Sequence, residues 1–150
     1  MVGKMKIPKG LPQFKGEHAL IIVAGKQDAA LYHAFRGEIE YIGSIKVDKP
    51  QFSSEKGHFK TRGHGSMVRS GTLNQVREET IIREFTHKLA DLFKGLRHRF
   101  PLSSIYLLSP GKVREKIKST FPYQWRSRLR QTIAGNYFYF HPIKVLERIA

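Results

Sequence analysis

Residues 18–47, HALIIVAGKQDAALYHAFRGEIEYIGSIKV, decide the fold of this chain. Three short apolar runs, 19–24, 29–35 and 39–47, are separated by polar breaks of turn length, the sequence form of an antiparallel meander. Gly25-Lys26-Gln27-Asp28 supplies the first turn and Arg36-Gly37-Glu38 the second, with residues suited to tight backbone geometry. In the third run Ile39, Tyr41, Gly43, Ile45 and Val47 alternate with Glu40, Ile42, Ser44 and Lys46, as a strand with one buried face requires. The first run is apolar on both faces and belongs in the middle of a sheet, covered on both sides.

Working outward toward the C-terminus, apolar periodicity disappears between Asp48 and Gln75, where Gly57, Gly63, Gly65 and Gly71 lie among Ser and basic residues. This reads as a long loop, and loops of this length inside a compact domain are usually functional or disordered. Periodicity then returns. Ile82, Phe85, Leu89, Leu92 and Leu96 recur at spacings of three and four and predict an amphipathic helix, with Asn74 as its cap and Glu78 and Glu79 near its positive end. Pro101 stops that helix. Ser104 to Leu108 reads as a buried strand, and Ser109-Pro110-Gly111 opens a further helix with Ser109 as cap. Residues 132–140 are expected as a strand and 142–149 as a closing helix.

Toward the N-terminus, residues 1–16 combine Lys4, Lys6, Lys9 and Lys15 with Pro8 and Pro12 and lack the apolar stretch of a signal peptide. They are expected to form a flexible basic arm ahead of a globular domain at 17–150. The fold class is therefore α/β (α+β): one domain with a mixed β-sheet opened by a three-strand meander, helices packed on it, and a long basic glycine-containing loop.

The charge is as decisive for function as the apolar pattern is for fold. Across 150 residues, 27 Lys and Arg stand against 12 Asp and Glu, a formal charge of +15, and an imbalance of this kind destabilises a compact state unless a polyanion is near. RNA is the expected partner. A membrane partner is not expected, because the longest apolar run is far short of the about 20 residues of a span and no basic amphipathic anchor is evident. The chain is expected to be cytoplasmic; its oligomeric state is open.

The cations fall into two groups. Lys56, Lys60, Arg62, Arg69 and Arg77 lie in or just after the long loop, where Gly63 and Gly65 let backbone approach phosphate closely. Lys112, Arg114, Lys116, Lys118, Arg126, Arg128 and Arg130 form the second, opposed within it by Glu115. Trp125, flanked by Arg126, is the candidate ring for stacking on an unpaired base. His58 and His64 share the loop, but no ligand spacing accompanies them, so neither a metal nor any other cofactor is expected. No carboxylate set or nucleophile signature points to catalysis.

Arg62-Gly63-His64-Gly65-Ser66-Met67-Val68-Arg69, followed by the helix through Phe85 and Leu89, resembles the middle domain of archaeal and eukaryotic peptide-chain release factors. It is similar also to the relatives of that domain: Pelota-type rescue proteins, bacterial and archaeal release-factor-like proteins and host attachment proteins. Ile22-Val23-Ala24-Gly25 with Ala29-Ala30-Leu31-Tyr32 resembles the first hairpin of the group, and residues 105–111 its later strand-to-helix turn. The resemblance implies a ribosome-associated factor contacting ribosomal RNA or tRNA. In true release factors the loop carries Gly-Gly-Gln, whose Gln helps to place the attacking water. The matching positions here are Gly63-His64-Gly65, and Gln75 lies too far along to replace it, so peptide release is not expected. The expectation is an RNA-binding rescue, hibernation or accessory factor. The alternative is a hydrolase of peptidyl-tRNA or RNA with His64 as general base.

Overall fold

In the computed structural model, residues 3–48 and 64–149 are described, with side chains from residue 77 onward in the second stretch. Strands β1 (Lys4–Lys6), β2 (Ala19–Ala24), β3 (Asp28–Phe35) and β4 (Glu38–Lys46) are followed by helix α1 (His64–Leu96). Then come β5 (Ser104–Ser109), α2 (Gly111–Lys118), a 3₁₀ turn (Tyr123–Arg128), β6 (Leu129–Ala134) and α3 (Pro142–Ile149). The six strands form one mixed sheet in the order β1-β4-β3-β2-β5-β6. The expected meander is present, β2 pairing antiparallel with β3 and β3 with β4, while β5 and β6 run parallel to β2 and to β5 respectively.

The doubly apolar run is buried along its whole length in the sheet interior because its side chains alternate between two cores. On one face Leu20, Ile22 and Ala24 join Leu31, Ile105 and Leu107 beneath α1, α2 and the 3₁₀ turn. On the other, Ala19, Ile21 and Val23 join Tyr32, Ile39 and Leu108 beneath α3. The β3–β4 connection is a two-residue turn in which Arg36 (φ 49°) and Gly37 (φ 76°) both take left-handed backbone, the geometry that matches the twist of a tight hairpin.

Three sequence readings change. The apolar positions of β4 do not share one face: Leu31 pairs with Gly43 but Tyr32 with Tyr41, so Ile42 is an extra residue in a β-bulge. The bulge reverses the alternation, sending Ile39 and Tyr41 to the α3 side while Ile42 and Ile45 pack beneath α1. Residues 64–75, read as loop, are helical, so Asn74 lies inside α1 instead of capping it. Glycine, serine and threonine are weak helix formers, which is why this part of α1 carries no helical signature. Finally, the N-terminal segment is not a free arm. β1 pairs with β4, Ile7 and Phe14 are buried, and Gly37 donates to the Gln13 carbonyl at 2.7 Å, clamping residues 7–14 over the hairpin turn.

Smaller shifts occur further on. Pro110, not Ser109, occupies the cap of α2, and Ser109 is buried with its hydroxyl donating to the Pro110 carbonyl. β6 starts at Leu129 and ends at Ala134, so residues 135–140, expected as strand, lie outside it.

At the opposite end of the sheet from α2's N-terminus, His18 and His33 are joined through Nδ1 and Nε2 at 2.9 Å. Their rings are nearly coplanar, at 3°, with Phe35 stacked on His18 and Phe100 on His33. One nitrogen must donate and the other accept, so two fully charged rings are incompatible with this bond. The His33 pKa lies below the ordinary imidazole value because of burial first, then His18, Arg99 and Lys4, with Glu40 opposing. The folded state thus binds this proton less readily than the unfolded chain. Stability from His33 is complete well above an ordinary imidazole pKa of about 6.5 and declines as pH falls through that value. Denaturant titrations at pH 8 and pH 5.5 should show the protein weaker in acid, and His33→Gln should flatten the difference. An unchanged pH dependence in the variant would assign the effect elsewhere.

Candidate nucleic-acid interface

The second basic group is gathered by α2, the 3₁₀ turn and the start of β6. α2 buries Val113 and Ile117 and leaves Lys112 and Lys116 exposed. Arg114 and Lys118 both lie near the Glu115 carboxylate, at 3.9 and 3.4 Å. Exposed pairs of this kind contribute at most about 1 kcal/mol and leave the cations available to another anion. Arg126, Arg128 and Arg130 are exposed. A guanidinium nitrogen of Arg128 donates to the Leu102 carbonyl, tying the 3₁₀ turn to the approach to β5. Arg130 occupies a second bulge, since Ile105 pairs with Leu129 but Tyr106 with Gln131. Lys112, Lys116, Arg126 and Arg130 have no acidic partner among the described residues.

Two open grooves shape this surface. One, of about 410 Å³, runs between α1 and α2 and is lined by Glu79, Ile82, Arg83, Thr86, Lys116 and Ser119. The other, of about 350 Å³, lies between α2 and the 3₁₀ turn and is lined by Glu115, Lys118, Ser119, Phe121, Arg126 and Leu129. Both grooves include Ser119 in their lining, with Arg83 and Lys116 bordering the first and Lys118 and Arg126 the second. Such an arrangement suits a phosphate chain, which needs several cations on a concave surface more than it needs any single enclosed site.

Trp125 is corrected. It is 3% exposed and packs against Phe93 at 5.1 Å and Phe121 at 6.2 Å, in the core beneath α1. The flanking arginines point its neighbours to solvent, not the indole itself. Tyr123, passed over in the sequence, is 81% exposed instead. Residues two apart in a 3₁₀ turn lie on different sides, which separates the two rings. Arg83 also carries no signal in the apolar pattern; it reaches the groove because it lies on the flank of α1 that meets α2.

Of the first basic group, Lys56, Lys60, Arg62 and Gly63 lie outside the described residues. His64, Gly65 and Arg69 belong to the first turns of α1, a helical setting in place of the expected loop, and Arg77 is exposed further along the same helix. Among the described residues no three His, Asp or Glu side chains come together as metal ligands, and no helix is long and apolar enough to cross a membrane.

No protein-family model matches the chain, and no curated protein matches it. Among solved structures it is similar to one described as an archaeal protein, with a TM-score of 0.50 and 11% identity over 87% of this chain and 33% of the other. An archaeal translation termination factor, aRF1, gives a TM-score of 0.49 at 10% identity, over 79% of this chain and 30% of that one. A PilM-PilN type IV pilus biogenesis complex gives 0.38 at 14% identity, over 87% and 41%. The chain thus spans about a third of the length of the first two. The first of these likenesses is one of fold, the same mixed α/β course of the chain.

Proposed function

We propose that the protein is an RNA-binding factor of the translation apparatus that contacts ribosomal RNA or tRNA through α2, the 3₁₀ turn and the start of β6. The observation that carries this reading is the run of cations from Lys112 to Arg130, four of them exposed and without an acidic partner among the described residues, beside two grooves that Lys116, Lys118 and Arg126 help to line. Phosphates entering these grooves displace condensed counterions, so binding follows salt concentration steeply. The motif resemblance to release-factor middle domains supports the translation setting. The Gly63-His64-Gly65 sequence, lacking the release-factor Gln, favours a rescue, hibernation or accessory role without peptide release.

Co-sedimentation with ribosomes and binding to free tRNA across a salt series test the proposal. Saturable ribosome binding that persists at moderate salt is the expected result. Equal binding to tRNA, heparin and other polyanions, with no preference for ribosomes, would remove the translation assignment. No binding to any RNA at low salt would remove the whole reading.

A further inference from the structure

Resting on that reading, we propose that Tyr123 is a stacking platform for an unpaired nucleobase, so that the interface selects single-stranded or looped RNA over duplex. Its ring is 81% exposed, and no ring or cation contacts it among the described residues. Isolated exposed aromatics are common and by themselves say little. Tyr123 differs in its mounting and in its neighbours.

The mounting is rigid. Pro122 precedes the 3₁₀ turn, the Trp125 amide donates to the Pro122 carbonyl at 2.9 Å, and the Trp125 indole is locked between Phe93 and Phe121. The far end is held by Arg128 on the Leu102 carbonyl. The backbone that carries the ring is thus fixed before binding, which leaves only the two side-chain torsions of Tyr123 to be ordered.

The neighbours supply the rest of a nucleotide site. Residues i and i+3 eclipse in a 3₁₀ helix, so Arg126 rises on the same side as Tyr123. Arg126 and Lys118 line the adjoining groove. A base laid on the phenol therefore has the Arg126 guanidinium on its own side of the turn, available to its phosphate. A duplex hides the faces of its bases within the stack and offers this ring only an end or an unpaired position.

The test compares a short unstructured RNA oligonucleotide with a duplex of the same length, using wild type, Tyr123→Phe, Tyr123→Leu and Tyr123→Ala. Tyr123→Ala should weaken binding of the unstructured strand by about 5- to 100-fold, the range of one lost base–aromatic stack, and leave duplex binding nearly unchanged. Tyr123→Phe should retain the wild-type affinity, and Tyr123→Leu should behave like Ala. Because the ring is exposed, melting of the variants should match wild type, which separates lost stacking from lost fold. Unchanged strand binding by Tyr123→Ala in a protein that does bind RNA overturns the platform and leaves the RNA-binding reading standing. An equal loss on duplex and strand also overturns it. Absence of RNA binding by wild type removes the reading on which it rests.

Discussion

Trp125→Ala should lower the stability of the domain by about 3–5 kcal/mol, the usual loss when a fully buried large aromatic is truncated. The indole touches Phe93 from α1 and Phe121 from the segment that follows α2, and those two rings meet edge-on at 5.6 Å. One side chain thus ties the long helix, the short helix and the 3₁₀ turn together over the sheet. A total stability of about 5–15 kcal/mol is usual for a domain, so the loss removes a large fraction of it. Thermal unfolding followed by circular dichroism should show a midpoint lower by roughly 10 °C, at about 2–4 °C per kcal/mol for a chain of this size. Trp125→Phe should recover part of the loss. A Trp125→Ala variant with wild-type melting and weakened RNA binding would instead restore the indole to the surface role that its flanking arginines imply in the sequence.

That contrast shows where the sequence is legible and where it is not. Strands β2, β3 and β5 are readable because they lie inside the sheet, and burial forces a continuous apolar run on them. α1 is readable from Ile82 to Leu96, where packing on the sheet imposes the three-and-four spacing, although Phe93 is the residue that meets both Phe121 and Trp125. Its first turns are not readable, because Gly65, Ser70, Gly71 and Thr72 lack helix propensity and a helical state there is set by context. The bulges at Ile42 and Arg130 are invisible to a period-two reading, since one inserted residue reverses every later assignment of faces. Site residues follow the same rule. The charge from Lys112 to Arg130 is plain in the sequence, whereas the exchange of Trp125 for Tyr123 depends on the rotation of one short 3₁₀ turn. Arg83 joins the site only through the packing of α1 beside α2.

Replacing Lys112, Lys116, Arg126 and Arg130 together by Ala should weaken RNA binding by about 10²- to 10³-fold at 0.1 M salt. The estimate follows from counterion release, in which each phosphate contact adds about 0.7 to the slope of log affinity against log salt for a single strand. Four contacts make the slope shallower by about 3, and at 0.1 M that difference corresponds to the stated loss. The four were chosen because they lack acidic partners among the described residues. Arg114 and Lys118 face Glu115, and Arg128 holds the Leu102 carbonyl, so removing these would confuse binding with local structure. Surface substitutions of this kind shift stability little, about 0.5 kcal/mol or less at each position, so the fold should persist and lost affinity reports the interface. The slope discriminates better than the affinity. A variant that binds more weakly with the wild-type slope has lost something other than phosphate contacts. One that keeps both affinity and slope transfers the RNA surface away from α2, to cations elsewhere on the chain such as those of the first basic group, from Lys56 to Arg77.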